Sequence, residues 1–258
     1  MAIKIKNEKQ IKGIRQSCQL ASQTLDYITP FVKEGISTEK INDLIHKFII
    51  KHGARPAPLN YRGFPKSVCT SVNNVVCHGI PSSKQILRNG DILNIDVTTI
   101  LNGYYGDTSR MFLIGNVSQE ARLLVSRTKK AMLKAISKLA PGKYLNNCVG
   151  KTIEEYVKKF GYTPVRDLCG HGVGIKFHEE PDVYHFDIGY QDVLLKPGMI
   201  FTVEPMINAS LSSQIIIDPH DGWTVRTKDG ALSAQWEHTV LITPQGHEIL
   251  TLTKNKNL

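Results

Sequence analysis

Two strand-like runs on either side of Asn102-Gly103 limit this chain's folding options more than any other feature. Residues 91–101 and 104–114 are rich in Ile, Val, Thr, Tyr and Phe, and the two residues between them favour the left-handed backbone of a tight hairpin turn. With a two-residue turn Leu101 faces Tyr104. Counting back sets Asp96 opposite Ser109, with Asp107 one diagonal step away. Alternation puts Asn94, Asp96 and Thr98 on one face and Leu93, Ile95 and Val97 on the other. The apolar face belongs to a core, and the two carboxylates share the polar face.

Helical spacing surrounds this hairpin. Residues 8–29 place Ile11, Ile14, Cys18, Ala21, Leu25 and Ile28 at intervals of three and four before Pro30, which predicts an amphipathic helix packed on a sheet. A second helix fits 38–52, with Ser37 or Thr38 as cap and Gly53 as stop. Helices follow at 119–139, capped by Ser118, and at 147–160, ended by Gly161. Residues 199–208, 213–217, 223–228, 234–243 and 246–252 read as mainly antiparallel strands. The order of helices, strands, helices, strands predicts an α+β fold of two halves, their sheets side by side under outer helices. No flexible linker separates the halves, so residues 1–258 are expected to form a single domain.

Composition narrows the function classes. No apolar run approaches the roughly 18 residues that cross a bilayer, and the alternating Ile3, Lys4, Ile5 and Lys6 contain no signal-peptide core, so a cytoplasmic protein is expected. Five scattered cysteines without a Cys-x-x-Cys pair predict reduced thiols rather than disulfides or a thiolate zinc cage. The net charge of +9 is concentrated in residues 121–160. There Arg127, Lys130, Lys134 and Lys138 form a stripe on helix 119–139, read as a solvated face or as a weak dock for ribosomal RNA.

Four acids interrupt apolar strand patterns: Asp96, Asp107, Glu204 and Glu237. One such residue is easily explained as exposed or salt-bridged. Four together would repel one another in an interior unless protons or cations compensate them. Two divalent ions would neutralise four carboxylates, and one imidazole would complete the donor set. Candidates are His171 and His178, in the glycine-rich stretch Gly170 to Pro181, and His78 in Cys77-His78-Gly79-Ile80-Pro81. Neither a dinucleotide fingerprint nor an H-E-x-x-H helix is present there.

These segments, with Tyr61 to Pro81, Asp91 to Arg110, Met199 to Asn208 and Gln235 to Leu241, resemble the type I methionine aminopeptidases. The resemblance runs from about Ile5 to about Leu252 and implies the pita-bread fold, with two pseudo-symmetric lobes. It implies that Asp96, Asp107, His171, Glu204 and Glu237 bind two metal ions (Mn, Fe, Co or Zn), with Asp107 and Glu237 bridging. It further implies that hydroxide attacks the first peptide carbonyl, that His178 steadies the oxyanion, that His78 contacts substrate beyond the scissile bond and that Glu204 moves protons. The methionine pocket would fall on Tyr61, Phe64, Cys69, Phe177 and Trp223. Arg62 and Asn74 depart from the commoner pattern, off the metal ligands. The expected substrates are nascent chains with a small second residue, and the expected state is a monomer. Because the chain begins Met1-Ala2, it would meet its own specificity. The rivals are a proline-directed aminopeptidase on the same scaffold and a binding protein that has lost its activity.

Overall fold

The computed structural model describes residues 2–252. Met1, on which self-processing would turn, lies outside them.

The first half contributes helices α1 (Glu8–Ile28) and α2 (Thr38–Lys51). Its strands are β1 (Arg55–Pro56), β2 (Cys69–Val72), β3 (Val75–Cys77), β4 (Ile92–Leu101) and β5 (Tyr104–Leu113). Asn7 and Gln10 close a reciprocal capping box at the start of α1, and the Ser37 hydroxyl caps α2. The hairpin has the register expected of it: Leu101 pairs with Tyr104, Asp96 with Ser109 and Thr98 with Asp107. Asn102 and Gly103 both have positive φ, 51° and 82°, as this turn demands. Leu93, Ile95 and Val97 are fully buried against both helices, with Ile41, Ile45 and Leu25. At Gly106 the backbone of β5 lies so close to Ser17 and Cys18 of α1 that a Cβ would strike the helix main chain.

The second half contains α3 (Gln119–Ile136), α4 (Leu145–Cys148) and α5 (Gly150–Val157). Its strands are β6 (Thr163–Pro164), β7 (Gly170–Gly172), β8 (Glu179–Val183), β9 (Ile200–Val203) and β10 (Met206–Asn208), then β11 (Ile215–Ile217), β12 (Val225–Thr227), β13 (Ser233–Gln235), β14 (His238–Thr243) and β15 (Gly246–Ile249). The largest sheet runs β15-β14-β9-β7-β8. Phe201, Val203, Val240 and Ile242 pack with Leu124, Met132 and Ile136 of α3 and Ile153 of α5. Strand β3 of the first half pairs with β12 of the second, so main-chain bonds join the lobes.

Three expected elements are broken. The helix expected over 147–160 is split at Val149, whose ψ of −75° ends α4 and starts α5. The strand expected over 199–208 stops at Glu204-Pro205, and that over 234–243 stops at Trp236-Glu237. These two breaks lie side by side, because Val203 pairs with His238 and Met206 with Gln235. Each chain switches sheets there, and proline, which lacks an N–H, suits the gap.

The basic stripe is not wholly solvated. The Arg127 guanidinium lies 3.9 Å over the Phe160 ring and donates to the Tyr162 hydroxyl. Lys134 approaches the Tyr156 ring, and Lys138 Nζ donates to Thr152 Oγ1 at 2.8 Å. Arg127 is therefore drawn against Phe160 and Tyr162, while Lys130, Lys134 and Lys138 remain exposed.

Candidate metal centre

The five expected ligands come from five places that the fold draws together. Asp96 and Asp107 lie on the β4–β5 hairpin, Glu204 and Glu237 at the two paired strand breaks, and His171 in β7. One carboxylate oxygen from each of Asp96, Asp107 and Glu237 lies within 4.8 Å of the others. His171 Nε2 is 3.8 Å from Asp107 Oδ2 and 3.6 Å from Glu204 Oε1. Asp107 and Glu237 are almost completely buried, at 3% and 2% exposure.

Burial dominates the electrostatics. It pushes the carboxyl of Asp96 up to about 7 and that of Glu204 up to about 8. Asp107 and Glu237 are raised well above the usual carboxylate range, by burial first and by neighbouring carboxylates second. Asp96 Oδ1 is buried and has no hydrogen-bond partner among the described residues. Such a cluster must hold protons or bind cations.

The histidine fits cations. His171 Nδ1 lies 3.0 Å from the Gly172 carbonyl, which can only accept, so Nδ1 carries the hydrogen. Burial lowers this imidazole to about 4, so Nε2 faces the carboxylates as a neutral donor of its lone pair. Carboxylate oxygens with one such nitrogen suit divalent Mn, Fe, Co or Zn.

Other polar groups hold the expected ligands. Thr98 Oγ1 donates to Asp107 Oδ1 at 2.7 Å and Thr202 Oγ1 to Glu204 Oε1 at 2.6 Å. Gln235 Nε2 donates to Glu204 Oε2 at 3.1 Å. The sequence reading missed His185, which accepts the Glu204 N–H. No motif marks it, and its signal is a buried ring whose Nδ1 has no partner among the described residues.

A cavity of about 520 Å³ opens onto the ligands and is lined by all the expected substrate residues. Phe64 meets Trp223 edge-on at 5.3 Å, and Trp223 meets His78 in the same way at 6.0 Å. Cys69 is paired across the sheet with Asp96. Phe177 packs 4.8 Å from Tyr61, and the ring of His178 lies 4.1 Å from that of His171. His178 Nδ1 is 3.0 Å from the Tyr61 hydroxyl. Burial and then His171, His78 and Arg62 push the His178 imidazole down to about 3, so it is neutral near pH 7. His78, lowered by burial, has a left-handed backbone with φ of 56°. All five cysteines are free.

Known proteins match this arrangement. Residues 12–244 match the model of metallopeptidase family M24. The methionine aminopeptidase of Rickettsia prowazekii is 50% identical over 256 residues, spanning 99% of this chain and 98% of that protein. That of Escherichia coli (strain K12) is 45% identical over 259 residues, spanning 100% and 97%. The crystal structure of the Rickettsia enzyme superposes with a TM-score of 0.94 over 97% of this chain and 100% of that one, which establishes the pita-bread fold. The prolidase of Pyrococcus furiosus shares the fold alone, at 24% identity and a TM-score of 0.73, with 97% of this chain covering 66% of that one. Full-length identity to methionine aminopeptidases, together with the M24 match, places this chain in metallopeptidase family M24, among the methionine aminopeptidases.

Proposed function

We propose that this chain removes the N-terminal methionine from nascent proteins and peptides whose second residue is small. Two divalent cations would be held by Asp96, Asp107, His171, Glu204 and Glu237. The observation that carries this reading is the 4.8 Å clustering of Asp96, Asp107 and Glu237 oxygens beside the unprotonated Nε2 of His171. When bound, the metals supply Lewis acidity, lowering the pKa of water and polarising a peptide carbonyl.

The chain's own residues do the rest. The Tyr61 hydroxyl, donating to His178 Nδ1, leaves the hydrogen on Nε2, where it can donate to the oxyanion that develops on the scissile carbonyl. His78, beside Trp223, would hold the peptide beyond that bond. Glu204, held by Thr202 and Gln235, moves a proton between the attacking water and the leaving amine. Tyr61, Phe64, Cys69, Phe177 and Trp223 give the thioether an apolar, polarizable wall.

We read residues 1–258 as a single catalytic domain and the protein as a cytoplasmic monomer. No helix among the described residues is long and apolar enough to cross a membrane. Ribosome docking through 119–139 has the exposed Lys130, Lys134 and Lys138 in its support, and binding that weakens steeply with salt is its check.

The test of the activity is hydrolysis of Met-Ala-Ser against x-Pro-x peptides by the wild type, Asp96→Asn and His171→Ala. Cleavage of Met-Ala-Ser that either substitution abolishes supports the reading. Cleavage of proline peptides alone, or normal activity per folded molecule in both variants, overturns it.

A further inference from the structure

The N-terminal segment forms part of the active-site wall. Ala2 and Lys4 line the same cavity as the metal ligands. Lys6 then turns inward and is only 3% exposed. Its N–H donates to the Gly198 carbonyl at 2.9 Å, and a Cβ at Gly198 would lie 2.7 Å from the Ile5 side chain and 3.0 Å from the Lys6 carbonyl oxygen. The segment is therefore pressed onto the turn that enters β9.

The Lys6 ammonium is aimed at one carboxylate. Nζ lies 3.2 Å from Glu179 Oε1, with side-chain exposures of 1% and 6%. Neither Nζ nor Glu179 Oε2 has a well-formed hydrogen bond among the described residues, so the two charges depend on each other. The same Oε1 accepts the N–H of Ile175 at 3.2 Å. Glu179 thus ties the two ends of the turn that carries Phe177 and His178, and Lys6 anchors Glu179 from outside that turn.

We propose that Lys6 is a positioning residue: through Glu179 it fixes the turn 175–179, and so the placing of Phe177 and His178 over the bound substrate. Whatever weakens the ion pair loosens substrate binding while leaving the metal ligands in place. The inference rests on reading this cavity as a methionine aminopeptidase site, but the link from Lys6 to the turn stands apart from activity.

Removing one member of a buried ion pair strands the other, whereas removing both relieves that penalty. The experiment compares wild type, Lys6→Met, Glu179→Gln and the double variant by melting temperature, metal content, amide exchange at Ile175, and kcat and KM on Met-Ala-Ser. We expect each single variant to melt lower and the double variant to recover most of that loss. All three should bind metal normally, exchange the Ile175 amide at least about tenfold faster, and show kcat/KM lowered about tenfold, through KM as Phe177 shifts and through kcat as the oxyanion donor His178 shifts. A kcat/KM that returns to the wild-type value in the double variant would mean the pair only stabilises the fold, and would overturn the proposal. Wild-type exchange at Ile175 in Lys6→Met would overturn it too. If Lys6→Met does not fold, Glu179→Gln carries the same readouts. A wild type inactive on Met-Ala-Ser would sink the assigned activity, while the Ile175 exchange would still decide the role of Lys6.

Discussion

The main-chain N–H of Glu204 donates to Nε2 of His185 across 3.1 Å. His185 is 1% exposed, and burial pushes its imidazole down to about 3, so the ring is neutral and its hydrogen sits on Nδ1. The acid at the strand break, with no ladder partner for its N–H, is thus held by a side chain instead of a neighbouring strand. Replacing His185 with Leu removes the acceptor, at a cost of about 1–3 kcal/mol for the stranded N–H. Metal affinity should fall on the order of tenfold, and calorimetric metal titration measures it. Affinity equal to wild type would show that Glu204 needs no such support.

The raised carboxyls predict how metal and pH act together. A carboxyl whose pKa is higher in the folded state binds more protons there than in the unfolded chain. Its contribution to stability is therefore present at low pH and is lost as pH rises from about 4 through its folded value. Asp96 at about 7 and Glu204 at about 8 set that window at about pH 4–8 for the metal-free chain. The lowered His171, at about 4, works in the opposite sense, losing stability as pH falls below about 6.5. Cations displace the carboxyl protons, so the melting temperature of metal-loaded protein minus that of chelated protein should widen from pH 5 to pH 8. A gap that is constant over this range would mean the four acids do not bind the metal.

Tyr61→Phe removes the hydroxyl 3.0 Å from His178 Nδ1, which in the proposed mechanism fixes the hydrogen of that ring on Nε2. The expected result is a kcat lower by about tenfold with KM nearly unchanged, whereas His178→Ala loses the donor itself and should cost on the order of 100-fold. Steady-state kinetics on Met-Ala-Ser separates the two. Equal losses in both variants would place the hydroxyl in direct contact with substrate.

Gly106→Ala tests the coupling of fold to site. The added methyl meets main chain of α1, which cannot swing aside as a side chain would. The variant should lose about 1–3 kcal/mol and bind metal more weakly, since Asp107 follows in the same strand. Gly103→Ala, with open space around it and a φ of 82°, should cost only about 1–2 kcal/mol and leave metal binding intact. Denaturant melts with metal titration check both.

The hairpin was readable to the residue because its turn chemistry and its alternation agree. The pairing of Asp96 with Ser109, and Asp107 one diagonal step away, followed from counting along it. Glu204 and Glu237 were recognisable as misplaced acids, but not as residues at strand breaks, because apolar residues continue on both sides and only Pro205 signals an interruption. His185 and the Lys6–Glu179 pair were not legible. Each depends on two segments distant in the chain, and nothing in local periodicity marks a lone buried imidazole or ammonium. For the basic stripe, helical spacing shows which cations share a face, and Lys130, Lys134 and Lys138 are exposed as a solvated face requires, but it does not show that Phe160 and Tyr162 lie against Arg127.

The seam between the lobes is laced at the acids themselves. Asn94 Nδ2 donates to the Gln235 carbonyl at 2.7 Å, Thr108 Oγ1 to that of Glu237 at 2.8 Å and Thr239 Oγ1 to that of Asp107 at 2.7 Å. A clamshell motion would have to unpick these stitches and pull Asp107 from Glu237 in the same stroke. The halves of this enzyme are therefore fastened to each other through the acids, and opening them as jaws around a peptide would dismantle the site itself.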